Sequence, residues 1–502
     1  MSTRDLRVPL SAANKHNTSV SSLEVDSVLL SFDHGARRRR NSHHGSGHAA
    51  SGGLSVFEVC TMQMAIILGL GVLGLSFAFA TMGWVVGVLL ISLAAVGAIY
   101  SGIFISDLVQ HLTRQAHADG VTPIPRRYSD LGFAAFGSKG ATAVRCVQYT
   151  FLGGALVAVQ YTAATALVQV VGGGMCVAMA NGVVAVTVLP IMQVQHLSDV
   201  SWTAVLGVCM IIAPVVLYLI VVVQHAPLSC TPGSCVTSVM LPPTLTFDSI
   251  ANGVTTVVFA YQGQTIFPEL IAQMRTPSKF PTAVVAATAF MTFVYLVVGS
   301  IGYSMLGGSA TYLVDYVDNL DGADTTYVTA ANAMLIVNVL MGYTINGNVM
   351  NHAVHDMLFA ARVPPSAPRD FYTEAPGLSP QGKGSIQQAA PTHGHIPQLR
   401  AARWQWLVTT ILTVSASVAL SLVTPSLGNL LSLLGATCGY TLTFLFPAVF
   451  SVKLLGPSRL PVNPHGGVVA LTLVAIAVGT YATGTTVVES IQKAGVTGFS
   501  GC

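Results

Sequence analysis

Charge is what this sequence has least of: Asp, Glu, Lys and Arg together make up 8% of its 502 residues. An ordinary soluble domain carries roughly a quarter, so a water-soluble globular protein is excluded at the outset. Hydrophobic residues reach 52% and gather into eleven runs, at 59–80, 84–106, 147–171, 175–194, 202–224, 249–268, 282–306, 327–351, 405–423, 427–452 and 466–488. None of these runs contains Asp, Glu, Lys or Arg. Each is long enough, as a helix, to cross a hydrocarbon core of about 30 Å. Buried helices of a large soluble protein are also apolar all round, but their loops do not sort by charge. Here they do. Threading the runs alternately through a membrane places every Lys and Arg except Lys493 on one side: the N-terminal tail, the loops Arg114–Arg145, Arg275–Lys279 and Arg362–Arg403, and Lys453 with Arg459. Positive residues stay cytoplasmic during insertion, which predicts a cytoplasmic N-terminus and a C-terminus outside or in a lumen.

Other absences narrow the function. No cluster of nucleophile, base and metal ligands converges in the runs, so neither an enzyme nor a bound cofactor is expected. The basic residues are accounted for by insertion, which leaves no footprint for nucleic acid. No apolar stretch followed by a small-residue cleavage site precedes the first run, so no secretory signal peptide is expected. The eight cysteines are too few for a disulfide scaffold. Six lie in or near the runs or at the C-terminus, where Cys behaves as a small hydrophobe. Cys230 and Cys235 flank a Thr-Pro-Gly turn in the loop 225–247 on the non-cytoplasmic side, as either a disulfide or two free thiols. Residues 1–55 are rich in Ser, His, Gly and Arg without apolar periodicity and read as a disordered cytoplasmic tail. Within it, Arg37–Arg40 reads as a topogenic cluster or a contact for anionic lipid, and the Asn17-Thr18-Ser19 triplet stays unmodified. Residues 56–488 form one transmembrane domain, interrupted by a flexible cytoplasmic loop at 363–398 and followed by a short tail, 489–502.

What the chain does have is glycine in an unusual place. The first run reads Gly69-Leu70-Gly71-Val72-Leu73-Gly74-Leu75-Ser76. As a GxGxxG string it would need a strand before it and an acidic residue about twenty positions on to bind a dinucleotide. Leu90-Ile91-Ser92 stands there instead, and the dinucleotide reading fails. Glycine weakens a helix by close to 1 kcal/mol relative to Ala, so the cluster marks either an opened helix or a close helix crossing. A second interruption, Phe259-Ala260-Tyr261-Gln262-Gly263-Gln264 before Pro268-Glu269, stands in the sixth run. Paired breaks at corresponding places in two five-span halves point to a transporter's binding site. Opened half-helices offer free N–H groups to an anion and bare carbonyls to a cation, the two poles of an α-amino acid.

At these residues the chain resembles the eukaryotic amino acid/auxin permease family. The string from Gly69 to Phe79 with Gly83-Trp84 is similar to that family's first helix, and Tyr128-Ser129-Asp130-Leu131-Gly132 with Ala135-Phe136-Gly137 to its loop before helix three. Phe259–Gln264 with Pro268-Glu269 resembles its sixth helix, Gly299–Tyr303 the end of its seventh, and Leu433–Thr437 through Phe446-Pro447 its tenth. The resemblance implies an all-α membrane protein of eleven helices, with a leucine-transporter-like five-plus-five inverted repeat plus one extra helix and amino acids as cargo. Three positions depart from the family: Ser76 and Thr344 stand at or near usual prolines, and Gln264 stands where His is frequent. Without that His the coupling ion, proton or sodium, is left open.

The expectation is a secondary-active amino acid transporter working by alternating access, with neutral substrates favoured by an uncharged site. Gly69, Gly71, Val72 and Leu73 would meet the substrate's polar ends, and Phe259, Ala260, Tyr261, Gln262 and Gly263 would form the opposite wall. Gln160 and Tyr161 in span three, and Tyr343, Thr344 and Asn346 in span eight, are further candidates for the cavity or an ion site. His352, His355 and Asp356 share a helix face and read as a polar helix end, a proton relay or a metal site. Asp315, Asp318, Asp321 and Asp324 read as a solvated loop or a cation-attracting mouth. A non-transporting amino acid sensor, signalling through its cytoplasmic segments, is the rival from another class. The plasma membrane and a vacuolar or lysosomal membrane fit this topology equally.

Overall fold

The computed structural model describes residues 53–120, 124–172, 174–193, 201–225, 238–241, 246–314, 325–359, 403–424, 426–456, 472–485 and 488. Arg37–Arg40, Asn17, Cys230, Cys235, the four loop aspartates, the 363–398 loop and the tail from 489 lie outside them.

Helix α1 (Val56–Ile67) opens the first span. The Ser55 hydroxyl accepts from the Glu58 N–H at 3.3 Å, and the Glu58 carboxylate accepts from the Ser55 N–H at 2.7 Å. This reciprocal box satisfies two N–H groups that the helix start leaves over. The glycine cluster then stops the helix. At Gly69 the backbone leaves helical values (φ −43°, ψ −130°), passes through a 3-10 turn at Leu70–Gly74, and re-enters helix as α2 (Leu75–Asp119). Helix α2 contains the second half of span one and all of span two, parted at Gly83. With φ 77° and ψ 178° there, the turn uses a conformation that only glycine adopts without strain.

Helix α3 (Tyr128–Val171) is similarly parted at Phe136 and Gly137, and its longer part is span three. Helices α4 (Val177–Ile191) and α5 (Ser201–His225) are spans four and five. Span six is discontinuous: α6 (Phe247–Ala260), a 3-10 turn at Gln264–Ile266, then α7 (Phe267–Gln273). Spans seven, eight and nine are α8 (Phe280–Leu306), α9 (Thr325–Phe359) and α10 (Arg403–Val423). Span ten starts as α11 (Leu427–Leu434), widens to π-helical winding at Gly435–Gly439 and Thr441–Leu445, and ends as α12 (Phe446–Leu455). Span eleven is α13 (Thr472–Thr485).

Among the described residues, seven helical stretches are long and apolar enough to cross a membrane unaided. The other spans are the two that break, one and six, and two that are short. Helix α4, with 15 residues, rises only about 22 Å. The expected all-α, eleven-span architecture is the one the chain adopts. Some helices overrun the apolar runs: α2 continues through Asp107 and Arg114 until Gly120, at φ 65°, turns it off. Beyond the bilayer a helix need not be apolar.

The bundle's outer surface is apolar, with Leu89, Leu93 and Val96 on α2, Phe290 and Phe293 on α8, and Ile411 and Leu412 on α10 all exposed. That suits a lipid solvent. Inside, polar side chains tie spans together. Asn332 Nδ2 donates to Gln169 Oε1 at 2.7 Å while Asn332 Oδ1 accepts from the Tyr218 hydroxyl at 2.6 Å, joining spans eight, three and five. Asn351 Nδ2 donates to Thr410 Oγ1 at 2.9 Å, joining spans eight and nine.

One backbone contact joins the two broken spans at their tail-side ends. Leu54 N–H donates to Gln273 O at 2.7 Å, and Arg275 N–H donates to Leu54 O at 3.0 Å, a parallel bridge of Leu54 with Met274. The Arg275 side chain adds a bond from Nε to Gly53 O. A Cβ on Gly53 would stand 2.6 Å from Gln273 O, so the strand can lie this close only because residue 53 has no side chain.

One expectation about cysteine is corrected. Cys176, grouped with the thiols that act as small hydrophobes, is disulfide-bonded to a partner outside the described residues. Helix α4 begins at Val177 rather than 175, which leaves Cys176 as its N-cap at the edge of the span. Cys60, Cys146, Cys209 and Cys438 are free.

Candidate functional site

The two breaks meet, and they do so reciprocally. A Cβ on Gly71, in the first break, would stand 2.5 Å from Ala260 Cα, at the end of α6. A Cβ on Gly263, in the second break, would stand 2.3 Å from Ile67 Cγ1, at the end of α1. Each break therefore rests its bare glycine on the C-terminal residue of the other span's first half-helix. Gly71 owes its missing side chain to this crossing.

Backbone groups left over by the breaks are met in specific ways. The Tyr295 hydroxyl, on α8, lies 2.6 Å from Ala260 O and 3.4 Å from Ile67 O, spanning the carbonyl ends of both first half-helices. Gln264 staples its own turn: its Oε1 accepts from the Gly263 N–H at 2.9 Å and its Nε2 donates to Tyr261 O at 3.2 Å. A neutral carboxamide thus serves the backbone where the family frequently has His. In the first break, the N–H groups of Leu70 and Gly71 open a 3-10 turn and have no carbonyl behind them within it. No hydrogen bond from either occurs among the described residues. The turn runs directly into α2, so these N–H groups stand at the start of a long helical stretch, the positive end of its dipole. Val72 and Leu73 are buried beside them, as are Ala260, Tyr261, Gln262 and Gly263 opposite, with Phe259 half-buried. The Tyr261 hydroxyl is paired with Thr292 at 2.8 Å.

Tyr312, which is 3% exposed, packs beside the end of the first break, against Gly74. Its ring packs on Phe77 at 5.5 Å between centroids, and its hydroxyl lies 3.4 Å from Thr256 Oγ1, itself 3.1 Å from Ser432 Oγ.

The remaining candidates have partners elsewhere. Gln160 Nε2 donates to Asn181 O at 3.0 Å and to Asn181 Oδ1 at 3.2 Å, and Ser421 donates to the same Oδ1 at 3.1 Å, so Gln160 knits spans three, four and nine. Tyr161 beside it is half-buried. The Tyr343 hydroxyl is 2.5 Å from Ser417 Oγ on span nine, and Thr344 bonds back to Leu340 O in its own helix at 2.8 Å. Asn346 is half-buried on the same helix. His352 packs at a tilt against Trp406 with centroids 4.7 Å apart, while His355 lies 3.3 Å from Gln405 Oε1 and 3.8 Å from Asp356. No set of three His, Cys, Asp or Glu among the described residues is placed to hold a metal. Gln160, Tyr343 and His355 thus tie helices together.

The chain is similar to several known proteins. The amino acid transporter ANT1 of Arabidopsis thaliana is 24% identical over 398 residues, covering 78% of this chain and 83% of its own. The amino acid transporter AVT1H of the same plant is 23% identical over 415 residues, covering 81% and 83%. Among solved structures, Mhp1, a nucleobase-cation-symport-1 family transporter, aligns over 88% of this chain and 93% of its own at 10% identity and a TM-score of 0.48. The family model described as transmembrane amino acid transporter protein matches residues 52–492. Broken at its first and sixth spans and matched over almost its whole described length, this chain belongs to the transmembrane amino acid transporter family.

Proposed function

We propose that the chain carries neutral amino acids across its membrane by alternating access, binding them where the breaks of spans one and six meet. The observation that carries the reading is the pairing of opposite poles at one crossing. The N–H groups of Leu70 and Gly71, without a partner in their turn, would receive the carboxylate, and the carbonyl ends at Ile67 and Ala260, which share the Tyr295 hydroxyl, would meet the ammonium. Gly69, Gly71, Val72 and Leu73 form one wall; Phe259, Ala260, Tyr261, Gln262 and Gly263 form the other. The apolar lining contributed by Val72, Leu73, Phe259 and Ala260 favours uncharged side chains, because an unpaired charge there would be strongly disfavoured. The basic loops support a cytoplasmic N-terminus, in the plasma membrane or a vacuolar or lysosomal one.

Counterflow in proteoliposomes tests this, scanning the twenty radiolabelled amino acids with no ion gradient. Accelerated exchange of one or a few neutral amino acids is the expected result. Proton and sodium gradients imposed afterwards identify the coupling ion. Saturable binding without exchange would replace transport with an amino acid sensor, and exchange confined to cationic substrates would overturn the neutral preference.

A further inference from the structure

The short arm of α3, Tyr128–Phe136, forms no part of either break. Its buried residues Tyr128, Leu131, Gly132 and Ala135 recur at helical spacing and give it one inward face. Outside that face stand Phe133, 50% exposed, and Phe136, 48% exposed. At Gly137, with φ 64°, the chain turns sharply into the long arm that becomes span three. The two arms cross backbone on backbone: a Cβ on Gly140 would stand 2.2 Å from Gly132 O, and one on Gly132 would stand 2.8 Å from Gly140 O. The crossing sets Lys139, next to Gly140, beside the arm that carries Phe133.

Span ten marks the depth of this elbow. The Tyr128 hydroxyl donates to Leu442 O at 2.7 Å, and the Tyr128 and Phe136 rings both pack near Phe450, with centroids 6.4 and 6.5 Å away. Phe450 lies in the apolar run 427–452, less than a turn from its end. Phe136 is therefore level with the last turn of a membrane span, at the edge of the apolar layer. The free charges around it are of one sign. Arg126 before the short arm, Lys139 and Arg145 at the start of the long arm, and Lys453 at the end of span ten are all exposed. None of the four side chains has an acidic partner among the described residues. The carboxylates nearby are engaged: Asp130 Oδ2 accepts from the N–H groups of Arg126 and Arg127 at 3.0 and 2.9 Å, and Glu269 lies in the field of Arg127.

Bare aromatic rings at the edge of the apolar layer, rimmed by unpaired cations, are how an amphipathic segment binds an anionic bilayer surface. We propose that this elbow is a binding site for anionic phospholipid. Phe133 and Phe136 enter the acyl boundary, while Lys139, Arg145 and Lys453 reach the headgroups with their charged ends. Neutral lipid would satisfy the rings and leave the cations without a counter-charge. The site is independent of the substrate crossing, and it gives a lipid partner to a segment that transport leaves unused.

Fluorescence quenching by brominated lipid tests this, with full-length protein in phosphatidylcholine vesicles. The vesicles carry a small, equal mole fraction of either brominated phosphatidylserine or brominated phosphatidylcholine. Phe133→Trp adds a reporter at a half-exposed aromatic position, and subtracting the parent's signal isolates it. The introduced tryptophan should be quenched by both lipids. Quenching by the serine lipid should be stronger by about fivefold or more, the worth of one Lys or Arg at an anionic surface. High salt should erase that excess and leave quenching by the choline lipid as it was. The triple substitution Lys139→Gln, Arg145→Gln and Lys453→Gln should erase it at low salt. The salt measurement needs no further variant, so the outcome does not depend on the triple variant folding. No quenching by either lipid would put the elbow in water and overturn the proposal. Equal quenching by both would overturn it as well, because the rings would then sit in lipid without selecting its charge. So would an excess that survives the salt or the triple substitution, which would place its origin outside these cations.

Discussion

The Tyr312 ring is slotted against Gly74 so tightly that a Cβ there would stand 2.5 Å from its Cε1 atom. Gly428 closes the other side, where a Cβ would stand 2.5 Å from Cε2. A glycine on span one and a glycine on span ten thus form a slit with an aromatic ring in it. The ring occupies the space above the first break, on the non-cytoplasmic side of the proposed topology.

Removing the ring should open that side. In Tyr312→Ala, a cysteine placed at Ser432 should react with a membrane-impermeant thiol reagent about tenfold faster than in the parent, because Ser432 is 3% exposed beneath it. Mass spectrometry of the peptide carrying residue 432 reads the result. Equal rates would mean that Tyr312 closes nothing.

The reciprocal glycine contacts lead to an asymmetric prediction. Gly71 faces backbone, Ala260 Cα, which cannot step aside, so Gly71→Leu should abolish counterflow at unchanged surface expression, and Gly71→Ala should already reduce it severely. Gly263 faces Ile67 Cγ1, a side chain that can be shortened. Gly263→Ala alone should cost about 1–3 kcal/mol of stability through overpacking. The double variant Gly263→Ala with Ile67→Ala should recover most of it. Thermal melting of the single and double variants measures this. A double variant no better than Gly263→Ala would show that the two residues do not share one contact.

How much of this could be read before folding depended on range. The breaks were legible because their causes are local: three glycines within six residues, and Gln262-Gly263-Gln264 inside an apolar run. Tyr295 carried no such mark. It is a tyrosine in an ordinary apolar helix, and it matters only because the fold brings it to a carbonyl 35 residues away along the chain. Gln160 and Tyr343 stood out as polar groups in apolar spans, but polarity alone does not say which neighbour is served. Their partners, Asn181 and Ser417, are on other helices. The glycines were ambiguous between ligand approach and helix crossing, and Gly71 shows the crossing directly.

Cys176 yields a prediction about covalent structure. Peptide mapping without reduction should recover it joined to another cysteine of the chain, and reduction should lower the melting temperature, as losing a bond worth about 2–4 kcal/mol does. Cys176→Ser should show the same melting shift and be insensitive to reductant. A free Cys176 in the mapped protein would overturn the assignment. The same map determines whether Cys230 and Cys235 are joined to each other.

The bridge between Leu54 and Met274 has a mechanical meaning. Spans one and six are the elements whose separation would admit water to the crossing from the tail side, and at that end they are stitched by two main-chain bonds and an arginine. The fastening is sewn from main chain, so side-chain changes at Leu54 or Met274 leave it closed, and only the loss of an N–H, as in Leu54→Pro, unpicks a stitch.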